Sequence, residues 1–467
     1  MSQTADTPRI FGLAPGVFLQ CAALGLLIAG ALLDQAALKH AAAFLVVLWI
    51  ATQWPRLLPQ SRWISAAAAI SVVLSLAVFA GAFPRIVTAI VQGTGFAALM
   101  MVLGLLRQPV KRARVTHQAA EYLLSFRPRR RFAALQTGAQ FMALMFNVGI
   151  VAMIGDLTEA RDGRDVRRDP GRRAMILATM RGNGLMATWA PVSLGFAVVS
   201  TGLTELNPDR LIAISFVFVM VTLAITGRWP LLPPEARMPE AEETPAQREP
   251  GGPGALIKVL CVSAVLLAAT IVFHDLIGLN FNLTTVIVIP VFALTWLALE
   301  PARIAGPFRH RLTSALGSLG DLRSESALFM SASILGTVLT LAIQASPLWP
   351  VISGPKTAAL PALLAVYFLI PFCAFLYVPN LVTVVMAAQV LAPTALGQNH
   401  PTALGLALCI GWGASITANP ISAFSMITGR LCDVPTRKLA HGWNMPYTLM
   451  LLALGVGPVC VLYWIGG

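Results

Sequence analysis

Two stretches of this chain hold the residue types that a buried polar site in an apolar setting needs. Residues 182–193 read Gly-Asn-Gly-Leu-Met-Ala-Thr-Trp-Ala-Pro-Val-Ser, and residues 411–422 read Gly-Trp-Gly-Ala-Ser-Ile-Thr-Ala-Asn-Pro-Ile-Ser. They align without gaps at an offset of 229, with Gly, Gly, Thr, Pro and Ser identical at five of twelve positions. Each lies in an apolar run long enough to span a bilayer. A proline there removes a backbone donor and frees a carbonyl, and irregular backbone persists at membrane depth only where protein, ion or water satisfies it. Helix breaks are therefore expected at Gly184 and Pro191, and at Gly413 and Pro420. Half-helix N-termini favour an anion, whereas C-terminal carbonyls with hydroxyl and amide oxygens suit a small hard cation. Thr188, Ser193, Thr417, Asn419 and Ser422 are the candidate ligands. The same types also serve plain packing, since Thr and Ser back-bond within kinked helices and Gly lets helices approach closely.

Upstream of each break lies an asparagine with turn-forming neighbours. Phe146-Asn147-Val148-Gly149 precedes Pro191 by 44 residues, and Val378-Pro379-Asn380-Leu381 precedes Pro420 by 40. Asn147 and Asn380 join the solute candidates, and Asn147, Gly149, Asn380 and Asn419 are the candidate sodium ligands. Arg181 stands inside an otherwise uncharged crossing. It either holds an anionic solute or snorkels to the cytoplasmic interface. Asp156, Asp275, Glu300 and Glu325 fall near span ends, which places no carboxylate in mid-membrane as a proton carrier and favours sodium over protons as the coupling ion. His274 reads as an interfacial histidine, and Trp189 and Trp412 as packing or cavity lining. The six cysteines lack metal or disulfide spacing, and no catalytic cluster or cofactor motif is present.

The elements that position these residues follow from composition. A mean hydropathy of +0.75 with 57% hydrophobic and 11% charged residues excludes a water-soluble globule. The net charge of +13 sits in short clusters between apolar runs, a pattern of membrane topology and not of nucleic-acid binding. Runs near the ~20 residues that cross a bilayer fall at 11–33, 37–54, 64–83, 86–106, 174–202, 209–227, 256–276, 282–299, 325–346, 403–429 and 445–465. Two further runs, 132–157 and 358–393, are expected to be re-entrant hairpins. Strongly basic stretches flank the first on both sides, and the second is too long for one crossing and carries Tyr377-Val378-Pro379-Asn380 near its middle. With these hairpins, 28 of the 33 Lys and Arg fall on one side, so the N-terminus is expected in the cytoplasm and the C-terminus in the periplasm of a bacterial inner membrane.

The expected fold is thus an all-α polytopic membrane protein of about eleven transmembrane helices plus two re-entrant hairpins in two inverted repeats. Residues 1–106 and 256–346 form scaffold helices. Residues 107–227 and 347–467 form the repeat cores, each with a hairpin, a broken helix (174–202 or 403–429) and a last helix. Residues 228–255 form a cytoplasmic linker, and 115–131 an interfacial arm carrying Tyr122, Leu123, Leu124 and Phe126.

This order resembles the ion transporter superfamily, and most closely its divalent anion:sodium symporters. The resemblance covers nearly the whole chain as topology. It implies a homodimer working as an elevator, with Asn147 and Asn380 at the hairpin tips and Pro191 and Pro420 marking the broken helices. Those symporters carry Ser-Asn-Thr at each tip, whereas here the flanks are Phe146 and Val148 in one and Pro379 and Leu381 in the other.

The function expected is cation-coupled secondary transport of a small anionic solute, an organic acid or oxyanion, with Na+ or H+ as coupling ion and no other cofactor. The partners are that solute, the lipid bilayer and a second copy of the chain, with no nucleic acid. The alternatives are the membrane subunit of a tripartite binding-protein-dependent transporter, a channel, or a non-transport membrane enzyme or assembly factor.

Overall fold

The computed structural model describes residues 13–162, 168–237, 252–299, 307–354 and 360–466. The chain is an all-α, multi-pass membrane protein. Among the described residues, eleven helices are long and apolar enough to cross a membrane. In chain order the helices are α1 (Pro15–Leu32), α2 (Ala36–Gln53), α3 (Pro59–Val78), α4 (Ala82–Arg112), α5 (Arg114–Leu124), α6 (Pro128–Phe146) and α7 (Gly149–Asp162). Then come α8 (Pro170–Trp189), α9 (Leu194–Gly202), α10 (Pro208–Arg228), α11 (Pro253–Ile277), α12 (Phe281–Leu299), α13 (Phe308–Gly317), α14 (Arg323–Ala345) and the short α15 (Trp349–Ser353). The last six are α16 (Leu360–Phe375), α17 (Asn380–Leu391), α18 (Ala395–Asn399), α19 (Pro401–Ala418), α20 (Ala423–Cys432) and α21 (Met445–Ile465). Many start with proline in their first turn, where its missing donor costs nothing.

The chain divides into two compact units. One comprises Met1–Arg112 with Ala269–Ala342, and the other Ala113–Ala268 with Ile343–Gly467. In the first, α4 is the central helix. Its glycines let neighbours touch backbone: a methyl on Gly95 would strike the Asn282 amide, and one on Gly93 would strike Met330. Serines of α14 donate to α4 carbonyls, Ser326 to Ala97 at 3.3 Å and Ser333 to Ala89 at 3.0 Å. Helices in lipid gain little from apolar burial, so small residues and such hydrogen bonds hold them together. By contrast α3 is 17% buried and turns Trp63, Ile70, Val73 and Leu74 outward, as a lipid-facing helix does.

The second unit is built around two interrupted spans, α8–α9 and α19–α20, whose most apolar eighteen-residue stretches are 89% and 94% buried, while α20 buries only Ser425, Thr428, Gly429 and Cys432. α6 packs along α8, and α16 along α19. The second members of those pairs cross over. α7 packs on α20, where Gly155 meets Leu431, and α17 packs on α9, where Gly202 meets Ala388.

Two segments carry more structure than the sequence alone indicates. The arm expected over 115–131 is α5, whose Leu123 and Leu124 are buried, and Leu123 fills the space over Gly138 of α6. Its apolar face therefore meets protein as well as lipid. The first part of the expected linker, Trp229–Arg237, holds a 3-10 turn at Pro234–Ala236 and an ion pair of 2.9 Å between Glu235 and Lys438. Residues 238–251, half of the linker, lie outside the described residues, as do Arg164, Arg167, Glu300 and Lys356.

A methyl group at Gly182 would fall on the backbone carbonyl of Gln136, which a helix cannot move aside, whereas Gly457 faces open space. Gly182→Ala is expected to destabilise the protein by about 1–3 kcal/mol, read as a lowered melting temperature in detergent. Gly457→Ala should leave that temperature unchanged or slightly raised.

Candidate solute and ion site

The two helix breaks are closed by the same local device. In the first, Trp189 ends α8, and Ser193 caps α9: its hydroxyl donates to the Ala187 carbonyl at 3.1 Å and accepts from the Phe196 amide at 3.3 Å. In the second, the Ser422 hydroxyl donates to the Ile416 carbonyl at 3.0 Å and accepts from the Ser425 amide at 3.1 Å. Every atom of the second set stands 229 residues beyond its counterpart in the first. Each proline-containing interruption thus satisfies part of its backbone internally, the serine serving as an N-cap.

α8 and α19 cross at their small residues. Gly413 meets the Thr188 hydroxyl, and Gly184 faces Ile416 and lies near the Gly413 carbonyl. The two threonines differ in what they find. Thr417 pairs with the Thr448 hydroxyl at 2.8 Å and donates to the Ala414 carbonyl at 2.9 Å. The Thr188 hydroxyl, in contrast, is buried with no hydrogen-bond partner.

Turns between helices are tied to the interrupted spans by asparagine amides. Between α6 and α7, Asn147 adopts φ +46° and ψ −133°, outside the left-handed helical basin and strained for a residue with a side chain, and its carbonyl accepts from Asn183 Nδ2 at 2.6 Å. Between α16 and α17, the Val378 carbonyl accepts from Asn419 Nδ2 at 3.0 Å, while Asn419 Oδ1 accepts from the Ile421 amide at 3.0 Å. Asn183 Oδ1 is left buried and unpartnered. The Asn147 and Asn380 amides make no side-chain hydrogen bond among the described residues, and both are half-buried. Gly149 opens α7 with free space around its Cα.

The structure therefore brings Thr188, Gly184 and Gly413 together at one crossing, while Thr417 pairs with Thr448 of α21 and Asn419 caps the end of α19; the Asn147 turn is linked to α8 through Asn183, and the second turn to α19 through Asn419. Ser193 and Ser422 are caps of their own helices. Pro191 and Pro420 lie in the gaps as expected from the sequence, whereas Gly184 and Gly413, also expected as breaks, lie inside the unbroken helices α8 and α19, where their lack of a side chain serves the close approach of the two helices.

Arg181 is placed otherwise than either sequence reading. It is fully buried, so it does not snorkel, and its donors are taken by protein. Nε donates to Asn444 Oδ1 at 3.0 Å. Nη1 donates to the Pro230 carbonyl, and Nη2 to those of Leu231 and Trp443 at 3.4 and 3.3 Å. The guanidinium lies 4.6 Å from the Tyr447 ring centroid, and no carboxylate pairs with it among the described residues. Carbonyl dipoles and a π-face thus replace a counter-anion, which removes Arg181 from the solute ligands in this conformation. The neighbouring Arg172 and Arg173 cap the last carbonyls of α20, Leu431 and Cys432, the end of a helix that favours cations.

Sequence reading passed over Asn183, because Trp412 occupies its place in the second stretch. It also missed Gln136 and Gln140 on α6, whose amide nitrogens are buried without partners. The one sign of them is polarity inside an apolar run. A groove of about 400 Å³ lies away from the crossing, between α10 and α21, and its lining of Val217, Phe218, Val221 and Leu454 suits an acyl chain and no polar solute. No group of His, Cys, Asp and Glu side chains that would hold a metal ion occurs among the described residues.

A scan of protein-family models finds none that matches this chain, and a search of curated proteins finds no match.

Removing the guanidinium leaves several buried carbonyls without donors, at about 1–3 kcal/mol each. Arg181→Met is expected to lower the melting temperature in detergent strongly, and Arg181→Lys nearly as much, because one ammonium cannot span the fork. Unchanged melting of both variants would contradict the assigned role.

Proposed function

We propose that the protein is a secondary transporter of a small anionic solute, an organic acid or oxyanion, coupled to Na+ or H+ and working by elevator-type alternating access. The observation that carries this reading is the meeting of two interrupted spans at one crossing, where α8 and α19 are buried almost throughout, each span tied to a turn between shorter helices by an asparagine amide. Interrupted helices at membrane depth supply amide donors and carbonyl acceptors that intact helices lack, which is the chemistry a transported ion or anion requires. The serine caps, recurring 229 residues apart, and the matching exchange of packing by α7 and α17 support an inverted repeat with α6–α7 and α16–α17 as re-entrant hairpins. On the arginine distribution, the membrane is a bacterial inner membrane, with the N-terminus cytoplasmic and the C-terminus periplasmic.

Within this reading the solute ligands are Asn147, Asn380 and Thr188, groups whose polar atoms the protein leaves uncommitted, with Asn183 Oδ1 added to them. Gly149 joins Asn147 and Asn380 as a candidate for the cation, and Asn419, whose Oδ1 accepts from the Ile421 amide, is the fourth. The likeness to divalent anion:sodium symporters supports a homodimer, with the unit carrying the breaks as the moving part.

A thermal-shift screen of organic acids and oxyanions, with sodium replaced by choline in parallel, tests this function. A ligand held at ~100 times its Kd adds about 2.7 kcal/mol to the native state. At least one acid is expected to raise the melting temperature, and to exchange its radiolabelled form across proteoliposomes by counterflow, which a channel does not support. Asn147→Ala and Asn380→Ala should abolish that ligand's shift. If both variants keep the full response, the site assignment fails.

A further inference from the structure

Between α20 and α21 the turn Lys438–Trp443 is π-helical, with the Asn444 amide donating to the Leu439 carbonyl at 2.9 Å. Such turns are rare and concentrate at functional positions. Its far end, Trp443 and Asn444, holds Arg181 of α8. His441 faces the turn between α16 and α17. The imidazole stacks on Phe375 with centroids 4.0 Å apart and planes at 24°, and Tyr377 meets it edge-on at 5.8 Å and 79°. Tyr377 adopts φ +66°, which a bulky residue holds only when its surroundings impose it. The next carbonyl, that of Val378, is the one bound by Asn419 at the second break. A continuous set of contacts therefore runs from the imidazole through this turn to the interrupted span.

The state of the ring matters to that set. His441 Nε2 is buried and has no hydrogen-bond partner. A neutral imidazole tolerates an idle lone pair there, but a proton would create a charged N–H with no acceptor. Among the described residues, the charged group shown to act on it is Arg437 on its own segment; of the cations nearby in the chain or packed on its segment, Lys438 is paired with Glu235 and Arg173 lies over Trp443. The remaining titratable group in contact is the Tyr377 phenol. Burial first, and then the Arg437 charge, hold the imidazole pKa below the usual histidine value, while the Phe375 carbonyl acts in the opposite sense. The residue as a whole is half-buried, and its Nε2 is covered in the packed state, so the proton enters as the ring leaves the stack.

We propose that His441 is a proton-binding site that controls the turn 376–379: neutral, it clamps the turn through Phe375 and Tyr377, and protonated, it leaves the stack and releases it. Under the transporter reading, on which this consequence rests, the proton becomes a coupling or gating ion at the second hairpin. The sign follows from linkage. A group whose pKa is lowered by packing favours the packed state above the unpacked pKa of about 6.5, and that preference is lost as the pH falls below it.

Hydrogen–deuterium exchange on the full-length protein in lipid nanodiscs, corrected for the intrinsic pH dependence of exchange, tests the clamp without any solute. In wild type, peptides covering 370–382 are expected to exchange ~3-fold or more faster toward acid, with a midpoint below about 6.5. His441→Gln should make exchange there independent of pH, and His441→Phe, which keeps the stack and cannot titrate, should hold the turn protected throughout. His274→Gln should keep the wild-type response. A wild-type turn that shows no pH dependence, or greater protection in acid, overturns the proposal, as does a response that survives in His441→Gln. Failure of the ligand screen would leave these results standing, since no solute enters either arm.

Discussion

Inside a bilayer a backbone amide or carbonyl finds no water to replace a lost helical partner, and each one left open costs several kcal/mol in hydrocarbon. The second unit is organised by this constraint. It holds two gaps in its most deeply buried helices, and at each a serine hydroxyl bridges the ends, reaching back to a carbonyl six residues earlier and accepting an amide three residues later. With the gaps closed in this way, the remaining polar atoms near the crossing are set by side chains. Asn183 and Asn419 commit their amide nitrogens to the turns, and Thr417 commits its hydroxyl to Thr448. Among the described residues, the Thr188 hydroxyl, the Trp189 indole nitrogen and Asn183 Oδ1 are left without partners on α8 of the first span and the Thr428 hydroxyl on α20 of the second, so the two spans share their capping geometry and differ in the polar atoms they leave open.

Much of this was legible in the residues. Span positions followed from run lengths, since crossing a fixed thickness of hydrocarbon fixes helix length. Pro191 and Pro420 marked the gaps, because a proline inside an apolar run cannot donate to the helical ladder and its ring crowds the preceding turn. Side-chain allegiance was hidden. Nothing in the sequence tells a serine that caps its own helix from one that faces a ligand, and Ser193 and Ser422 turned out to be caps. Arg181 shows the same limit from the other side. A lone arginine in an apolar run must be neutralised somehow, but its acceptors come from Pro230, Leu231, Trp443 and Asn444, which lie far along the chain and carry no charge pattern to betray them. The π-helical turn was likewise invisible, as its residues fit an ordinary loop between helices.

Cations perform two distinct tasks in this unit. At the start of α8, Arg172 and Arg173 bind the final carbonyls of α20, and Arg172 also reaches Thr158 and the Gly155 carbonyl on α7. These contacts use the negative end of a helix as an acceptor and lie where the chain leaves the apolar zone. Further along the same helix, Arg181 is enclosed completely and balanced by dipoles and the Tyr447 ring. One face of α8 thus fixes the end of α20, another fixes the approach to α21, and a third is left to meet α19 through Gly184 and Thr188.

The exchanged packing of α7 and α17 bears on how the polypeptide is made. A ribosome finishes α8 and its arginines long before it reaches their acceptors, which lie 259 residues later for the contact of Arg172 with Leu431. Until then the first break and its companion helices sit in the membrane with half of their neighbours unmade. Neither half is a self-sufficient folding unit, and a chain severed in the segment between α10 and α11 would yield two fragments that depend on each other to assemble.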